Sequence, residues 1–149
     1  MVSTSVVQTG ETDDFLTMGR AIAEAVAQLD RRVVVLASSG MSHAFWPLSE
    51  ISKHEASDPV HIFTPEARAA DEQRLEWMEA GDHRAIVDSM DDYMPHNPEG
   101  DFGHYLMMRG AVGGADCTAP GEMFSDYENA TGTGQVHVWF DKLEDGWTA

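Results

Sequence analysis

The sequence has few basic side chains for its length. Nine Lys and Arg stand against 26 Asp and Glu, which gives a formal net charge of −17 at pH 7. A negative charge of this size repels the phosphates of nucleic acid and the anionic surface of a membrane. We therefore expect neither nucleic acid nor a membrane among the partners. A solvated acidic surface accounts for the charge more simply than a dedicated cation-binding surface does.

Cysteine and long hydrophobic runs are also scarce. The single Cys117 cannot form an internal disulfide, and the amino-terminal residues lack the basic and apolar regions of a signal peptide. No segment approaches the roughly 20 apolar residues that span a bilayer. These features predict a cytoplasmic protein. The 149 residues are enough for one domain, residues 1–149, with a core of its own.

The first third of the chain predicts a strand, a helix and a second strand. Residues 2–8 are rich in β-branched side chains, and residues 33–37 form a continuous apolar run that is typical of a buried strand. Between them, Thr12, Asp13 or Asp14 can cap a helix. Its apolar stripe consists of Phe15, Met18, Ile22, Val26 and Leu29. This order predicts an α/β fold, a partial three-layer αβα domain with a mostly parallel or mixed sheet.

The rest of the chain predicts three helices and a final strand. Residues 44–63 are irregular and predict a long loop with one short helical turn. Thr64 and Pro65 open a helix that ends at Gly81. A second helix begins after Asp82 and stops before Pro95, and a third covers residues 102–111. Residues 136–140 alternate as in a strand.

One histidine follows the predicted buried strand directly. In open α/β sheets, ligands collect at the carboxyl ends of the strands. The mostly small residues 38–42 allow a tight turn there, and His43 carries the side chain best suited to move protons near pH 7. By itself, the spacing fits better a histidine that only hydrogen-bonds a loop.

Two motifs give the chain a family resemblance. The segment "VVVLASSGMSH" resembles the "LASG-small-LSH" segment of class III extradiol ring-cleavage dioxygenases, and "NATGTGQVHVWF" resembles their "GTGQV" strand. The similarity is collinear over nearly the whole chain and includes "FLTMGRAIAEAVAQLDRRVVVL", Glu99-Gly100 and "YLMMRGAVGG". It is greatest to the catalytic chains of the protocatechuate and 3,4-dihydroxyphenylacetate branches.

The resemblance implies a non-haem ferrous site held by two histidines and one carboxylate, with open positions for a catechol and O2. It makes His43 the acid/base residue and Glu99 the carboxylate ligand, with Asp101 as the alternative candidate for that ligand. It places Ser42 and Phe45 beside the substrate. Without the resemblance, Glu99 would be interpreted as a carboxylate at a helix start and Phe45 as a core residue.

The resemblance covers the carboxyl-terminal half of the family's chain, whereas its two iron-binding histidines lie in the amino-terminal half. The remaining histidines fall in no matching ligand motif; they are His54, His61, His83, His96, His104 and His137. We therefore expect a catalytic half that needs a partner chain or a homo-oligomer, with Fe(2+), a catechol and O2 as its ligands. The alternatives are a non-catalytic relative or partner subunit that binds an aromatic ligand, and an acidic α/β interaction domain.

Overall fold

A computed structural model describes residues 1–54 and 64–148. Within them the chain forms five α-helices and four short β-strands, joined by turns and 3₁₀ segments. The helices are α1 (Thr12–Ala27), α2 (Pro65–Ala80), α3 (His83–Asp88), α4 (Met90–Tyr93) and α5 (Gly103–Ala111). The strands are β1 (Gly121–Met123), β2 (Glu128–Ala130), β3 (Thr133–Gln135) and β4 (Val138–Phe140). No helix in the described part of the chain is long and apolar enough to cross a membrane.

The core lies between α1, α2 and α5. Helices α1 and α5 are in close backbone contact at Gly19 and Gly110. A side chain on Gly19 would collide with the backbone of Met107 and Gly110. The largest buried apolar side chains come from the helices and the turns beside them. They are Phe15, Met41, Leu75, Met78, Ile86, Met90, Tyr93, Phe102, Tyr105, Leu106 and Met107. The helices therefore build most of the core, and the short strands cover its edge.

Helix α2 confirms the prediction made from its end signals. The Thr64 hydroxyl accepts a hydrogen bond from the Ala67 backbone N–H at 3.0 Å. Pro65 occupies the first turn, where it leaves no helical hydrogen bond unmade. Gly81 ends the helix in the left-handed conformation, with φ of 72°. These three signals are local, which is why the sequence alone could place both ends.

The other predicted helices form with shifted ends. Helix α1 is capped by Glu11 in a capping box with Asp14, not by any of the three residues expected, and it ends before Leu29. The helix expected after Asp82 is divided at Ser89 into α3 and α4. The helical turn expected in the loop is the 3₁₀ segment Ile51–Lys53. Residues 55–63, which include the rest of that loop, lie outside the described part.

All strand pairing among the described residues is antiparallel. Strand β1 pairs with β4, and β2 pairs with β3. The single strand expected over residues 136–140 is β4, confined to residues 138–140. Helices combined with small sheets confirm the α/β class in its broad sense. The three-layer arrangement and the parallel sheet are not confirmed.

The two strands predicted in the first third of the chain do not form. Residues 2–8 and 33–37 have no assigned strand structure. The run 33–37 is part of the protein surface, and its side chains Val34 and Leu36 are 67% and 82% exposed. The burial predicted for this run depended on strands beside it, and no strand of the described residues pairs with it. Its apolar sequence shows only that these side chains favour burial.

Candidate active site

The segment around His43 lies between two other segments of the chain. On one side, the Met41 N–H donates to the Gly134 carbonyl at 2.8 Å and the Gly134 N–H donates to the Ser42 carbonyl at 3.0 Å. The Ala44 N–H donates to the Gly132 carbonyl at 2.9 Å. The two motifs that the sequence singled out, residues 38–43 and 132–135, are therefore direct neighbours.

Glu99 lies on the other side of the same segment. Its backbone N–H donates to the Met41 carbonyl at 3.0 Å, and Ser42 and Pro98 form an antiparallel bridge. The Glu99 carboxylate accepts the Gly40 N–H at 2.5 Å through Oε2. The Ser39 hydroxyl donates to the Glu99 carbonyl at 2.7 Å. The small residues before His43 thus bring the backbone close enough to bind Glu99 directly.

The His43 ring has a defined tautomer. Its Nδ1 lies 2.8 Å from the Ala44 carbonyl oxygen, which can only accept, so Nδ1 carries the proton. Nε2 is left with a lone pair and forms no hydrogen bond to the described residues. The ring stacks on Phe45, with centroids 4.3 Å apart and planes 6° apart. His43 is half-buried. Because Nδ1 bonds the Ala44 carbonyl, Nε2 is the ring nitrogen that can accept a proton.

Backbone strain follows Glu99. Gly100, Asp101 and Phe102 have φ of 58°, 54° and 58°, all in the left-handed region. Such conformations are costly for residues with a side chain and persist where the surrounding structure imposes them. Buried Phe102 anchors this turn in the core. The turn presents the Glu99 side chain at the surface, where Oε1 makes no hydrogen bond to the described residues.

A buried carboxylate that the sequence did not single out holds the segment around His43 in place. Asp71 is fully buried in α2. It accepts the Ser42 N–H at 3.0 Å, the Ser42 hydroxyl at 2.7 Å, and the hydroxyls of Tyr93 and Tyr127, each at 2.6 Å. Four donors satisfy the carboxylate without an ion pair. Its position on the buried face of α2, one turn from Ala67 and Leu75, was the signal that could have revealed it.

The two tyrosines remain neutral donors. Burial raises the pKa of Tyr93 above its usual value, and the charge of Asp71 raises it further. The same two causes, in the same order, raise the pKa of Tyr127. Both phenols therefore keep their protons across the physiological range and hold Asp71 from two sides.

The glycines of the two motifs are required by close approach. A side chain on Gly134 would collide with Asp71 and the Tyr127 hydroxyl, and one on Gly40 would collide with Thr133 and the Glu99 carboxylate. Any side chain at these two positions would have to displace a neighbouring side chain. The spacing of small residues in both motifs therefore follows from the packing of three segments around residues 40–44.

A family model matches residues 1–141, that of the catalytic LigB subunit of aromatic ring-opening dioxygenase. The chain belongs to this family. The match confirms the predicted relationship to aromatic ring-cleaving dioxygenases. No curated protein matches the chain.

The LigB-family chain does not by itself present a complete metal site among its described residues. No group of three His, Cys, Asp or Glu side chains in the described part could hold a metal ion. Glu99 fits one ligand position, because Oε1 is available. Asp101, the reserve candidate, is half-buried and uses its backbone N–H on Pro98. The described side chains are thus compatible with one ligand of a ferrous site, not with the full set.

The described histidines other than His43 have different surroundings. His54 stacks on Trp46, with ring centroids 3.6 Å apart. His83 is buried and bonds Tyr105. His137 is exposed on the segment before β4. His96 contributes its backbone carbonyl to the His43 N–H, whereas His104 has a buried Nδ1 without a partner among the described residues. His61 lies outside the described residues.

The expected substrate residues have different surroundings. Phe45 is 76% exposed and covers one face of the His43 ring. Ser42 is fully buried, and its hydroxyl is used by Asp71. The substrate contacts expected of both residues stay predictions. What the structure adds is that Ser42 holds the backbone next to His43.

Proposed function

We propose that this LigB-family chain is part of an extradiol dioxygenase, which opens the ring of catechol-type aromatics with O2 at a non-haem ferrous site. The observation that supports this proposal is the pairing of residues 40–44 with Glu99. It puts an imidazole and a carboxylate on neighbouring segments, and neither His43 Nε2 nor Glu99 Oε1 bonds any described residue. Proton transfer and metal ligation both need such groups in one region.

The proposed roles follow from the free atoms. His43 Nε2 accepts a proton from a catechol hydroxyl and can return it later, while the Nδ1–H bond to Ala44 keeps the ring in the required tautomer. Glu99 Oε1 is the proposed carboxylate ligand of Fe(2+). Ferrous iron held by two histidines and a carboxylate leaves positions for a catechol and O2. Phe45 is the proposed apolar wall for the ring.

The remaining ligands are proposed to come from another part of the assembly, an amino-terminal half or a partner chain. The described residues contain no three-donor group, which supports a supply of the two histidines from outside the described part of the chain. The exposed apolar run is a surface that such a part would cover, because Val34 and Leu36 gain by burial. The cytoplasmic location stays a prediction.

The test begins with the chain alone. Anaerobic titration with ferrous iron is expected to show weak or no stoichiometric binding, and catechol ring opening, followed by absorbance, is expected to be absent. Robust turnover by this chain alone would contradict the proposed division of ligands. A chain reconstituted with an amino-terminal half is expected to bind iron and cleave catechols.

The two roles are separated by variants of the reconstituted enzyme. His43→Ala is expected to keep iron binding and lower kcat by roughly 10²–10⁴-fold, the usual contribution of a general acid or base. Glu99→Ala is expected to weaken iron retention. His137→Ala and Glu128→Ala, at exposed positions, are the matched controls. Loss of iron with the first variant and retention with the second would reverse the assignment.

A second candidate is a non-catalytic subunit that binds an aromatic ligand. It is favoured by the lack of a three-donor group among the described residues. If the chain is such a subunit, the reconstituted assembly would bind catechols without iron. Any turnover would then be the same with His43→Ala as with the wild type. Measuring iron content and ring opening on the same sample distinguishes the two candidates.

A further inference from the structure

Tyr93 is held by two side chains of α2. It lies at the end of α4 and is fully buried. Its hydroxyl donates to Asp71 Oδ1 at 2.6 Å, and the guanidinium carbon of Arg74 lies 3.7 Å from the centre of its ring. A hydrogen bond to a carboxylate is shorter and stronger than one between neutral groups. The position of Tyr93 is therefore fixed relative to α2.

Asp71 Oδ1 also binds the segment that carries His43. It accepts the Ser42 N–H at 3.0 Å in addition to the Tyr93 hydroxyl. Ser42 directly precedes His43, whereas Tyr93 precedes the segment that leads to Glu99. One buried oxygen atom thus joins the two segments whose side chains are the proposed proton acceptor and the proposed iron ligand.

The backbone between Tyr93 and Glu99 has little freedom. Residues Met94–His96 form a 3₁₀ segment, and the Asn97 N–H donates to the first carbonyl of that segment at 3.0 Å. The ring of Pro98 then restricts its φ, which is −58°. A movement of Tyr93 is therefore transmitted to Glu99, because the intervening residues do not absorb it.

Tyr93 also contacts the residue that ends the turn after Glu99. Phe102 packs edge-on against the Tyr93 ring, with centroids 5.4 Å apart and planes 85° apart. The residues on both sides of Glu99 are thus in contact with each other. This contact and the bond to Asp71 place the Glu99 carboxylate where its Oε2 accepts the Gly40 N–H at 2.5 Å.

We propose that Tyr93 is a positioning residue of the candidate active site. Its hydroxyl bond to Asp71 holds the Glu99 carboxylate against the segment that carries His43. Tyr93 acts through the backbone, because its hydroxyl is used by Asp71 and its ring is packed in the core. The proposal concerns the geometry of the iron-free chain, and only its consequence for iron rests on the proposed function.

The test removes the hydroxyl and keeps the ring. Tyr93→Phe is compared by NMR, in the iron-free chain, with Tyr127→Phe. The second variant is the matched control, because Tyr127 donates to the other oxygen of Asp71, also at 2.6 Å. In Tyr93→Phe the Gly40 amide resonance is expected to move at least about a third of the way to its position in Glu99→Ala. In Tyr127→Phe it is expected to stay at the wild-type position. A smaller movement in Tyr93→Phe, or an equal movement in both variants, would overturn the proposal.

Hydrogen exchange of the wild-type chain tests the proposal without a variant. The Ser42 N–H donates to Asp71, and the Glu99 N–H donates to the Met41 carbonyl. Because one carboxylate holds both segments, the two amides are expected to exchange through the same local opening, with protection factors within about tenfold of each other. A larger difference between the Ser42 and Glu99 amides would overturn the proposal.

The consequence for iron is measured in the reconstituted enzyme. Tyr93→Phe is expected to weaken iron binding by roughly 10–100-fold, the usual effect of losing a group that orients a metal ligand. His137→Ala, at an exposed position, is expected to bind iron as the wild type does. Unchanged iron binding together with a shifted Gly40 amide would support the positioning of Glu99 and contradict its proposed role as ligand. The two proposals can therefore fail separately.

Discussion

Ser42 donates both its backbone N–H and its hydroxyl to the carboxylate of Asp71, at 3.0 and 2.7 Å. Both residues are fully buried. The contact ties the residue next to His43 to the middle of α2, so the position of the imidazole depends on a helix far along the chain. A carboxylate buried in α2 can therefore determine where the His43 imidazole lies.

The first prediction concerns Asp71. Asp71→Asn replaces one acceptor oxygen by an NH2 group that faces two donors in either orientation, so at least one buried donor loses its partner. We expect the free energy of unfolding to fall by about 3 kcal/mol, measured by urea denaturation. Asp88→Asn, at an exposed position, should change it by less than about 0.5 kcal/mol. Equal effects of the two variants would show that the network around Asp71 contributes little.

The second prediction concerns the glycine beneath that network. Gly134→Ala would place a side chain against Asp71 and the Tyr127 hydroxyl, and we expect a loss of about 1–3 kcal/mol in unfolding free energy. Gly114→Ala is the control, because nothing among the described residues lies within 4 Å of its position. Its left-handed φ of 66° costs about 1 kcal/mol on its own. A smaller effect at Gly134 than at Gly114 would contradict the close packing at Gly134.

The third prediction concerns the pH dependence of stability. Burial, and then the charge of Arg109, lowers the pKa of His83 to about 4, whereas the unfolded chain has the ordinary value near 6.5. Between these values the unfolded state binds more protons, so stability falls as the pH falls through that window. The loss amounts to at most about 3 kcal/mol.

His83→Gln removes this titrating group and keeps a donor for the Ala119 carbonyl, to which His83 Nε2 donates at 2.8 Å. Urea midpoints measured from pH 7 to pH 4 should therefore decline less in this variant than in the wild type. His137→Gln, at an exposed position, should follow the wild-type curve. Identical slopes for the wild type and His83→Gln would show that His83 does not titrate in this way.

The fourth prediction distinguishes the observed exposure of Leu36 from the burial expected of a central strand. Leu36 is 82% exposed, so Leu36→Gln should change the unfolding free energy of this chain by less than about 0.5 kcal/mol. A buried leucine would lose about 2–5 kcal/mol on comparable truncation. The same variant should weaken association with a partner that covers the run 33–37, measured by analytical ultracentrifugation. A large loss in the isolated chain would contradict the surface position.

Agreement between sequence and structure depends on the range of the interactions involved. Thr64, Pro65 and Gly81 placed both ends of α2, because caps act within a few residues. The run 33–37 was wrongly assigned to a buried strand, because strand formation depends on neighbours that apolar residues alone do not specify. His43 and Glu99 were singled out through a family resemblance. Their positions on adjoining segments are what the structure adds.

By itself, the sequence determined the helical segments, the acidic character and the two motifs of small residues, since these depend on local chemistry and composition. Only the tertiary structure decided that Asp71 anchors Ser42 and that the same carboxylate binds Tyr93. Both facts arise from contacts between segments distant along the chain. Their energies depend on which polar groups meet after water is excluded, and this is a property of the folded arrangement.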